Sequence, residues 1–239
     1  MKYTESGKYI LFGGNGAEGG DDFDIAAKEM IRLSGRKDPR FLFIGFAQLE
    51  PHHGFEYYGT LFASMGCECS VLTDEDIQKK EYAGSKIFGA DIIFIMGGNT
   101  GKLLETLRRY GIDRMLIEAA KKGTVMTGFS AGGICLCGSG VSKNEDYLIE
   151  KGIGCLDFFF CPHPYGESER YRYFAKKLEK APEKIGIACD GAGVEIDSGY
   201  CRSLIYNPNG YMAKICRYDN GEYTEMDIPT DWIPVSELI

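Results

Sequence analysis

The sequence predicts an α/β fold of three layers, in which a mostly parallel central sheet lies between helices and C-terminal antiparallel strands form its edge. Three observations support this fold class. Short strand-like apolar runs alternate with longer segments of helical periodicity. Those runs are apolar on both faces, which is typical of parallel strands covered on two sides. Near the C-terminus, further strand-like runs follow one another without a helix between them.

The predicted elements alternate through the first half of the chain. The strand candidates are 8–14, 40–47, 69–73, 91–98 and 124–129, and the helix candidates between them are 22–34, 54–66, 101–110 and 112–122. The last of these helices carries apolar residues at the spacing of one helical face: Ile112, Met115, Leu116 and Ala119.

The C-terminal part has a different pattern. A helix near 168–181 precedes the run "KIGIACDGAGVEI" and two strand-like runs, 201–206 and 211–218, with the turn signal "NPNG" between them. We expect these runs to form an antiparallel edge that closes the sheet. Since no linker, repeat or low-complexity segment interrupts the chain, residues 1–239 are predicted to be one domain.

Composition excludes several classes of function. The net charge of -8 is spread along the chain and disfavours nucleic acid, which requires clustered Lys and Arg. The apolar runs are too short to cross a membrane, and the N-terminus lacks the apolar core of a secretory signal. We therefore expect a cytoplasmic protein, and a homodimer is left open.

The cysteines and histidines argue against a metal site. Nine cysteines, an odd number, predict reduced thiols rather than a disulfide framework. Two pairs are spaced C-x-C instead of the C-x-x-C of zinc or redox sites, and only three histidines are present. We expect neither a metal nor another cofactor.

One glycine-rich loop matches a dinucleotide-binding pattern. Gly14, Gly16 and Gly19 fit G-x-G-x-x-G after a strand and before a helix. Glu18 and Asp21 would repel a pyrophosphate where a helix N-terminus should attract it. A tight turn before a capped helix is the favoured interpretation, and a nucleotide-dependent oxidoreductase is the alternative.

The segment "GGNT" also follows a strand and precedes a helix. Ligands of open parallel sheets bind at the carboxyl ends of the strands, and glycines there leave backbone N–H groups able to donate to an oxyanion. The alternative is a plain turn in which Asn99 or Thr100 caps the helix. These residues alone leave the two interpretations equal.

Ser130 is the candidate nucleophile. It lies in "GFSAGG", where a strand runs into an apolar helix through small residues. Such a turn crowds the backbone, places the serine in strained φ/ψ and sets it above a helix N-terminus that stabilises negative charge. The alternative is a glycine-rich turn without a catalytic role.

A serine hydroxyl needs a base, and His163 is the best candidate. Pro162 and Pro164 flank it and restrict the local backbone, so its ring is expected on a rigid loop. His52 and His53 follow the second strand and are expected only at the rim. We expect a ring nitrogen of His163 within about 3.5 Å of the Ser130 hydroxyl.

Two carboxylates could orient His163. Asp190 lies at a predicted strand end in "IACDGAG", and Glu145 follows Ser130 in "SKNEDY". The ordinary alternatives are a turn former for Asp190 and a solvated loop charge for Glu145. The residues themselves leave the choice open.

Together, "IMGGNT", "GFSAGG", the later histidine and "IGIACDGAGVEI" resemble the dipeptidase E and cyanophycinase family of serine peptidases, over roughly residues 8–197. The resemblance implies a fold like that of class I glutamine amidotransferases. It also implies that Ser130 attacks, that His163 is the base, and that the N–H groups of Gly98 and Ala131 form the oxyanion hole.

The acidic residue varies within that family. Cyanophycinase-like members place an acid near the position of Asp190, and dipeptidase E proper places an Asp at the position of Glu145. This sequence departs from both patterns, with Asp-Gly-Ala at the first position and Glu at the second. We favour Asp190.

The family's substrates imply a small peptide with an acidic N-terminal residue, in an α or a β-Asp linkage. Asn99, Thr100 and Arg170 are the predicted substrate contacts, and a solvated helix face is the alternative for Arg170. A binding or regulatory protein on the same fold is the remaining alternative to a hydrolase.

Overall fold

A computed structural model describes residues 7–14, 23–50, 53–207, 212–219 and 221–238. The strands are β1 (Lys8–Phe12), β2 (Arg40–Ile44), β3 (Glu68–Val71), β4 (Ile92–Ile95), β5 (Val125–Phe129), β6 (Cys137–Lys143), β7 (Tyr147–Lys151), β8 (Leu156–Pro162), β9 (Ile185–Cys189), β10 (Ala192–Asp197), β11 (Tyr200–Ile205), β12 (Lys214–Asp219), β13 (Glu222–Asp227) and β14 (Ile233–Pro234). The helices are α1 (Phe23–Ser34), α2 (His53–Ser64), α3 (Asp74–Gln78), α4 (Lys80–Gly89), α5 (Thr100–Arg109), α6 (Ile112–Lys121), α7 (Ala131–Leu136) and α8 (Ser168–Leu178), with a short 3-10 helix at Val235–Leu238.

Five parallel strands form the centre of the first sheet, whose order is β14-β11-β10-β1-β5-β4-β2-β3. β1, β5, β4, β2 and β3 run parallel, and β10, β11 and β14 add an antiparallel edge beside β1. This arrangement confirms the predicted mostly parallel core with a C-terminal antiparallel edge. β5, which leads to Ser130, lies in the middle of the sheet between β1 and β4.

Helices cover both faces of this sheet, as the apolar pattern predicts. α1 and α2 pack on one face around buried aromatic rings, among them Phe23, Phe41, Phe62 and Phe94. α4 to α7 pack on the other face. The predicted apolar stripe of α6 is buried there, since Ile112, Met115, Leu116 and Ala119 are all in this core. Among the helices of the described ranges, none combines the length and the apolar character needed to span a bilayer.

A second, six-stranded sheet was not predicted from the sequence. Its order is β13-β12-β9-β8-β6-β7. After Asp157, β8 is apolar from Phe158 to Cys161 because both faces of this sheet are covered. Phe158 and Phe160 join the core shared with the first sheet, whereas Phe159 and Cys161 pack beneath α8. This alternation follows the two-residue period of a strand.

The two C-terminal runs do not form the neighbouring pair that was predicted. β11 (201–206 in the prediction) pairs with β10 in the first sheet, whereas β12 (211–218 in the prediction) pairs with β9 and β13 in the second. Residues 208–211, within and after the turn signal, lie outside the described residues. A turn signal reports a change of direction only, and here the chain also passes from one sheet to the other.

Candidate active site

Ser130 occupies a strained turn between β5 and α7. Its backbone has φ 50° and ψ -105°, in a region that non-glycine residues rarely adopt. The Ser130 N–H donates to the carbonyl of Phe12 on β1 at 2.9 Å, and the Ser130 carbonyl accepts from the N–H of Ile134 at 3.0 Å. These bonds fix the residue between a central strand and a helix N-terminus. The φ and ψ values confirm the expected backbone strain.

Glycines allow α7 to approach the sheet beneath Ser130. A Cβ atom on Gly132 would lie 2.0 Å from the carbonyl oxygen of Ile95, and one on Gly128 would lie 2.4 Å from the backbone of Gly132. Neither distance is possible for a real side chain. The small residues of "GFSAGG" are therefore required by the close approach of α7 to the sheet. The same turn exposes the serine hydroxyl to His163.

His163 meets Ser130 from the second sheet. The distance from Ser130 Oγ to His163 Nε2 is 2.9 Å, a hydrogen bond within the expected range. His163 follows the last residue of β8 and has φ 55°, so both partners hold a positive φ. With the ring proton on Nδ1, Nε2 accepts from the serine hydroxyl, which is the arrangement a general base requires.

Gly14 packs against the imidazole of His163. A Cβ atom on Gly14 would lie 1.9 Å from Cε1 and 2.0 Å from Nδ1 of the ring. The carbonyl of Gly14 accepts from the N–H of Gly191 at 2.8 Å and from the hydroxyl of Tyr206 at 3.1 Å. The glycine after β1 thus makes room for the base. Gly16 and Gly19, the other two glycines of the nucleotide pattern, lie outside the described residues.

Asp190 is next to the His163 loop, and Glu145 is not. Asp190 is 4% exposed, and its Oδ2 accepts from the N–H groups of Tyr165 at 3.3 Å and Gly166 at 3.0 Å. Its Oδ1 is buried and has no hydrogen-bond partner among the described residues. Glu145 is exposed at the tip of the β6–β7 hairpin. Asp190 is therefore the carboxylate that the structure brings to this loop, where it accepts hydrogen bonds from the backbone after His163.

The "GGNT" segment lies against Ser130. A Cβ atom on Gly97 would be 3.1 Å from the Cβ of Ser130, and the next residue, Gly98, has φ 139°. Asn99 caps α5, since its Oδ1 accepts from the N–H of Lys102 at 2.9 Å. Asn99 is exposed, whereas Thr100 is 4% exposed and presents almost no surface to a substrate. The "GGNT" segment therefore both caps α5, through Asn99, and lies against Ser130, through Gly97.

Ala131 follows Ser130 as the first residue of α7. N–H groups in the first turn of a helix have no acceptor within that helix. Ala131 is thus adjacent to Ser130 in α7, and Gly98 follows Gly97, the residue of the β4–α5 segment that approaches Ser130.

The model of peptidase family S51 matches residues 9–202, which is most of the sequence. The chain belongs to peptidase family S51. It is a serine-type peptidase, as the resemblance implied, and the oxidoreductase alternative is set aside.

Relatives and solved structures agree with this family. The S51 chain is 27% identical over 226 residues to a Bacillus subtilis (strain 168) protein named uncharacterized peptidase YgaJ, covering 94% of this chain and 98% of that protein. It is 27% identical over 132 residues to peptidase E of Salmonella typhi, covering 50% and 57% of the two chains.

Two crystal structures share the fold. A peptidase from an acI-B1 Actinobacterium superposes with a TM-score of 0.70 at 20% identity, covering 96% of this chain and 97% of that one. A putative peptidase E protein from Listeria monocytogenes EGD-e gives 0.63 at 17% identity, covering 83% and 98%.

Arg170 of this S51 peptidase is not on a solvated helix face. It is 6% exposed, and its Nη1 donates to the carbonyl of Pro162 at 3.2 Å. Its Nη2 lies 3.5 Å from Oε1 of Glu167. The guanidinium is engaged by the protein on the inner side of the His163 loop. Neither Glu167 nor Gly14 was identified as part of this site from the sequence, because their contacts with the loop depend on the fold.

Two buried thiols close to the site are poor alternative nucleophiles. Cys161 precedes His163 by two residues, and Cys189 precedes Asp190 directly. Burial raises the pKa of both thiols well above the ordinary value. The thiolate is the reactive form of cysteine, so neither supplies a nucleophile near neutral pH.

Proposed function

We propose that this S51 peptidase hydrolyses small peptides with an acidic N-terminal residue, through Ser130, His163 and Asp190. The observation that carries the proposal is the 2.9 Å hydrogen bond between the Ser130 hydroxyl and Nε2 of His163, at a strained turn above a helix N-terminus. A serine is a weak nucleophile until an adjacent base takes its proton, and this geometry supplies that base.

The proposed reaction has two steps. Ser130 Oγ attacks the peptide carbonyl while His163 takes the hydroxyl proton, and His163 then donates that proton to the leaving amine. Water, activated by the same imidazole, hydrolyses the acyl-enzyme and releases the N-terminal product. The N–H groups of Gly98 and Ala131 are the proposed donors to the tetrahedral oxyanion, because they belong to the β4–α5 segment that approaches Ser130 and to the first turn of α7.

Asp190 is the proposed third member. Its burial and its two hydrogen bonds from the backbone of Tyr165 and Gly166 support this choice over exposed Glu145. A buried carboxylate beside the loop stabilises the imidazolium that forms when His163 takes the proton.

A cation for the substrate carboxylate is available at the first turn of α5. The exposed Lys102 donates from Nζ to the carbonyl of Gln48 at 2.7 Å. Within the described ranges, no carboxylate pairs with this ammonium. Because Lys102 follows the "GGNT" segment beside Ser130, we propose that it and Asn99 contact the acidic residue of the peptide.

The test is hydrolysis of Asp-Leu, β-Asp-Leu and Asn-Leu by the wild-type chain and by Ser130→Ala and Lys102→Met. We expect an aspartyl peptide to be cleaved faster than its neutral amide counterpart. Ser130→Ala should lower kcat by at least about 10³-fold, and Lys102→Met should raise KM for the aspartyl peptide but not for Asn-Leu. Unchanged cleavage in Ser130→Ala, or faster cleavage of Asn-Leu, would contradict the proposal.

A further inference from the structure

Two features make the backbone conformation at His163 unfavourable. Its φ of 55° is unusual for a residue with a side chain. It also precedes Pro164, and a residue before proline is pushed toward extended conformations. Such a conformation persists only where the surrounding structure imposes it. Contacts outside the loop must therefore hold the imidazole at Ser130.

Two residues at the start of α8 fix the peptide groups on both sides of His163. The carbonyl before it, that of Pro162, accepts from Arg170 Nη1 at 3.2 Å. The carbonyl of His163 itself accepts from the N–H of Glu167 at 3.1 Å. The side chains of Arg170 and Glu167 then approach each other at 3.5 Å. One charged pair thus spans the strained residue.

The Glu167 carboxylate is anchored independently of Arg170. Its Oε2 accepts from the hydroxyl of Tyr147 at 3.0 Å and pairs with Nζ of Lys143 at 3.2 Å. Both partners belong to the β6–β7 hairpin. The pair therefore ties the base loop to a neighbouring element of the second sheet, so it has a fixed support.

Burial of Arg170 indicates that its contacts are with the protein and not with a substrate. The residue is 6% exposed, and its Nε is buried with no hydrogen-bond partner in the part of the chain that the structure describes. An unsatisfied buried donor destabilises the fold, and apolar residues often replace buried charges at no loss of stability. Stability alone is therefore a weak explanation for an arginine here.

We propose that Arg170 and Glu167 are positioning residues that keep His163 Nε2 within hydrogen-bonding distance of the Ser130 hydroxyl. The inference rests on the proposed roles of Ser130 and His163. Removing Arg170 should relax the strained peptide before His163 and lengthen the distance from Nε2 to the serine hydroxyl. A displacement of about 1 Å in a catalytic group can cost about 10²-fold in rate.

The experiment compares Arg170→Met with Lys86→Met in the full chain. Lys86 donates to one carbonyl, that of Val71, and to one carboxylate, that of Asp76, at the far edge of the first sheet. It is therefore a control that loses the same kinds of bond away from the site. We expect Arg170→Met to lower the rate constant for labelling by a fluorophosphonate about 10- to 100-fold and to lower kcat with little change in KM. The Tm should stay within about 4 °C of wild type, because Glu167 retains Tyr147 and Lys143.

A second measurement is independent of activity. The imidazole NMR signals of His163, assigned by their loss in His163→Gln, should shift in Arg170→Met and stay in place in Lys86→Met. Arg170→Lys, which keeps one donor, should restore part of the labelling rate and also serves if the methionine variant fails to fold. Wild-type labelling rates and unshifted His163 signals in both variants would overturn the positioning role, as would a rise in KM at constant kcat. An unlabelled wild-type chain would instead count against the proposed function, and the NMR comparison would still decide the role of Arg170.

Discussion

The two halves of the site are held by different forces. Ser130 is fixed by close packing of backbone against backbone, at a turn whose neighbours are buried and uncharged. His163 is fixed by hydrogen bonds and charges, through Asp190, Arg170 and Glu167. The nucleophile turn should therefore fail abruptly when its volume changes, whereas the base loop should lose function gradually as its charges are removed.

Protein interiors resist added volume. Each glycine around Ser130 faces atoms that cannot move easily: backbone for Gly128 and Gly132, and the ring of Phe160 for Gly133. By contrast, the polar groups that hold His163 are partly exposed at Glu167 and share several partners. When one of these groups loses a partner, its other partners remain. Substitutions in the base loop should therefore lower the catalytic rate more than they lower the free energy of unfolding.

The largest effect is expected from Gly132→Ala. The new Cβ would lie 2.0 Å from the carbonyl oxygen of Ile95, so α7 must move away from the sheet. We expect a loss of about 3 kcal/mol or more in the free energy of unfolding, measured by urea denaturation. Gly84→Ala is the control, because among the described residues its Cβ would meet nothing closer than Phe88 at 3.9 Å, and the alanine should stabilise α4 by up to about 1 kcal/mol. Equal stability of both variants would contradict the packing account of the nucleophile turn.

A smaller effect is expected from Asp190→Asn. The amide keeps an acceptor for Tyr165 and Gly166 but removes the charge that stabilises an imidazolium. We expect kcat/KM to fall about 10- to 1000-fold while Glu145→Gln stays within about twofold of wild type, because Glu145 is exposed at a hairpin tip. Steady-state kinetics on the best aspartyl dipeptide measures both variants. The opposite ranking would identify Glu145 as the third member.

The smallest effect is a pH dependence of stability at Glu167. Burial acts to raise the pKa of this carboxyl, but Arg170 and the hydrogen bonds from Lys143 and Tyr147 outweigh burial, so the pKa lies below its ordinary value of 4.5. A lowered pKa stabilises the fold above pH 4.5, and that contribution is lost as the pH falls through the folded-state pKa. Glu167→Gln should therefore be less stable than wild type at pH 7 by at most about 1 kcal/mol, and the difference should close toward pH 3.

Asp91→Asn provides the matched control for that pH dependence. Its pKa is also lowered, since hydrogen bonds and charges from Arg40 and Arg36 outweigh its burial, but it lies on the far side of the first sheet. Urea titrations from pH 3 to pH 7 should show the same closing difference in both variants. Only Glu167→Gln should also slow fluorophosphonate labelling. A pH-independent difference for Glu167→Gln would contradict the assignment of a charged pair.

Local sequence predicts the nucleophile turn better than the base loop. Strand, small residues, serine and helix start are adjacent in "GFSAGG", so their geometry follows from a short segment. The base loop depends on residues that are distant in the chain. Asp190 reaches Gly166 across 24 positions, and Gly14 meets the His163 ring from the first strand. Secondary-structure propensity and hydrophobic periodicity are local properties, so they do not predict contacts between residues that are distant in the sequence.

The second sheet was missed for a related reason. Its first strands, β6 (CGSGVSK) and β7 (YLIEK), are rich in small and charged residues and show no clear apolar period, and β8 is a short apolar run whose type periodicity alone does not decide. Arg170 illustrates the limit for single residues, because an arginine on an amphipathic helix is usually solvated. Here α8 turns it inward to the carbonyl of Pro162, and only the packing of α8 on the second sheet reveals this.

The most direct test of the central claim is the site of covalent labelling by a fluorophosphonate. Wild-type chain, Ser130→Ala and His163→Gln are treated at neutral pH and analysed by intact mass and peptide mapping. We expect one adduct per wild-type chain, on Ser130, no adduct on Ser130→Ala, and slowed labelling in His163→Gln. An adduct on another residue, or equal labelling of Ser130→Ala, would contradict the assignment of Ser130 as the nucleophile that His163 activates.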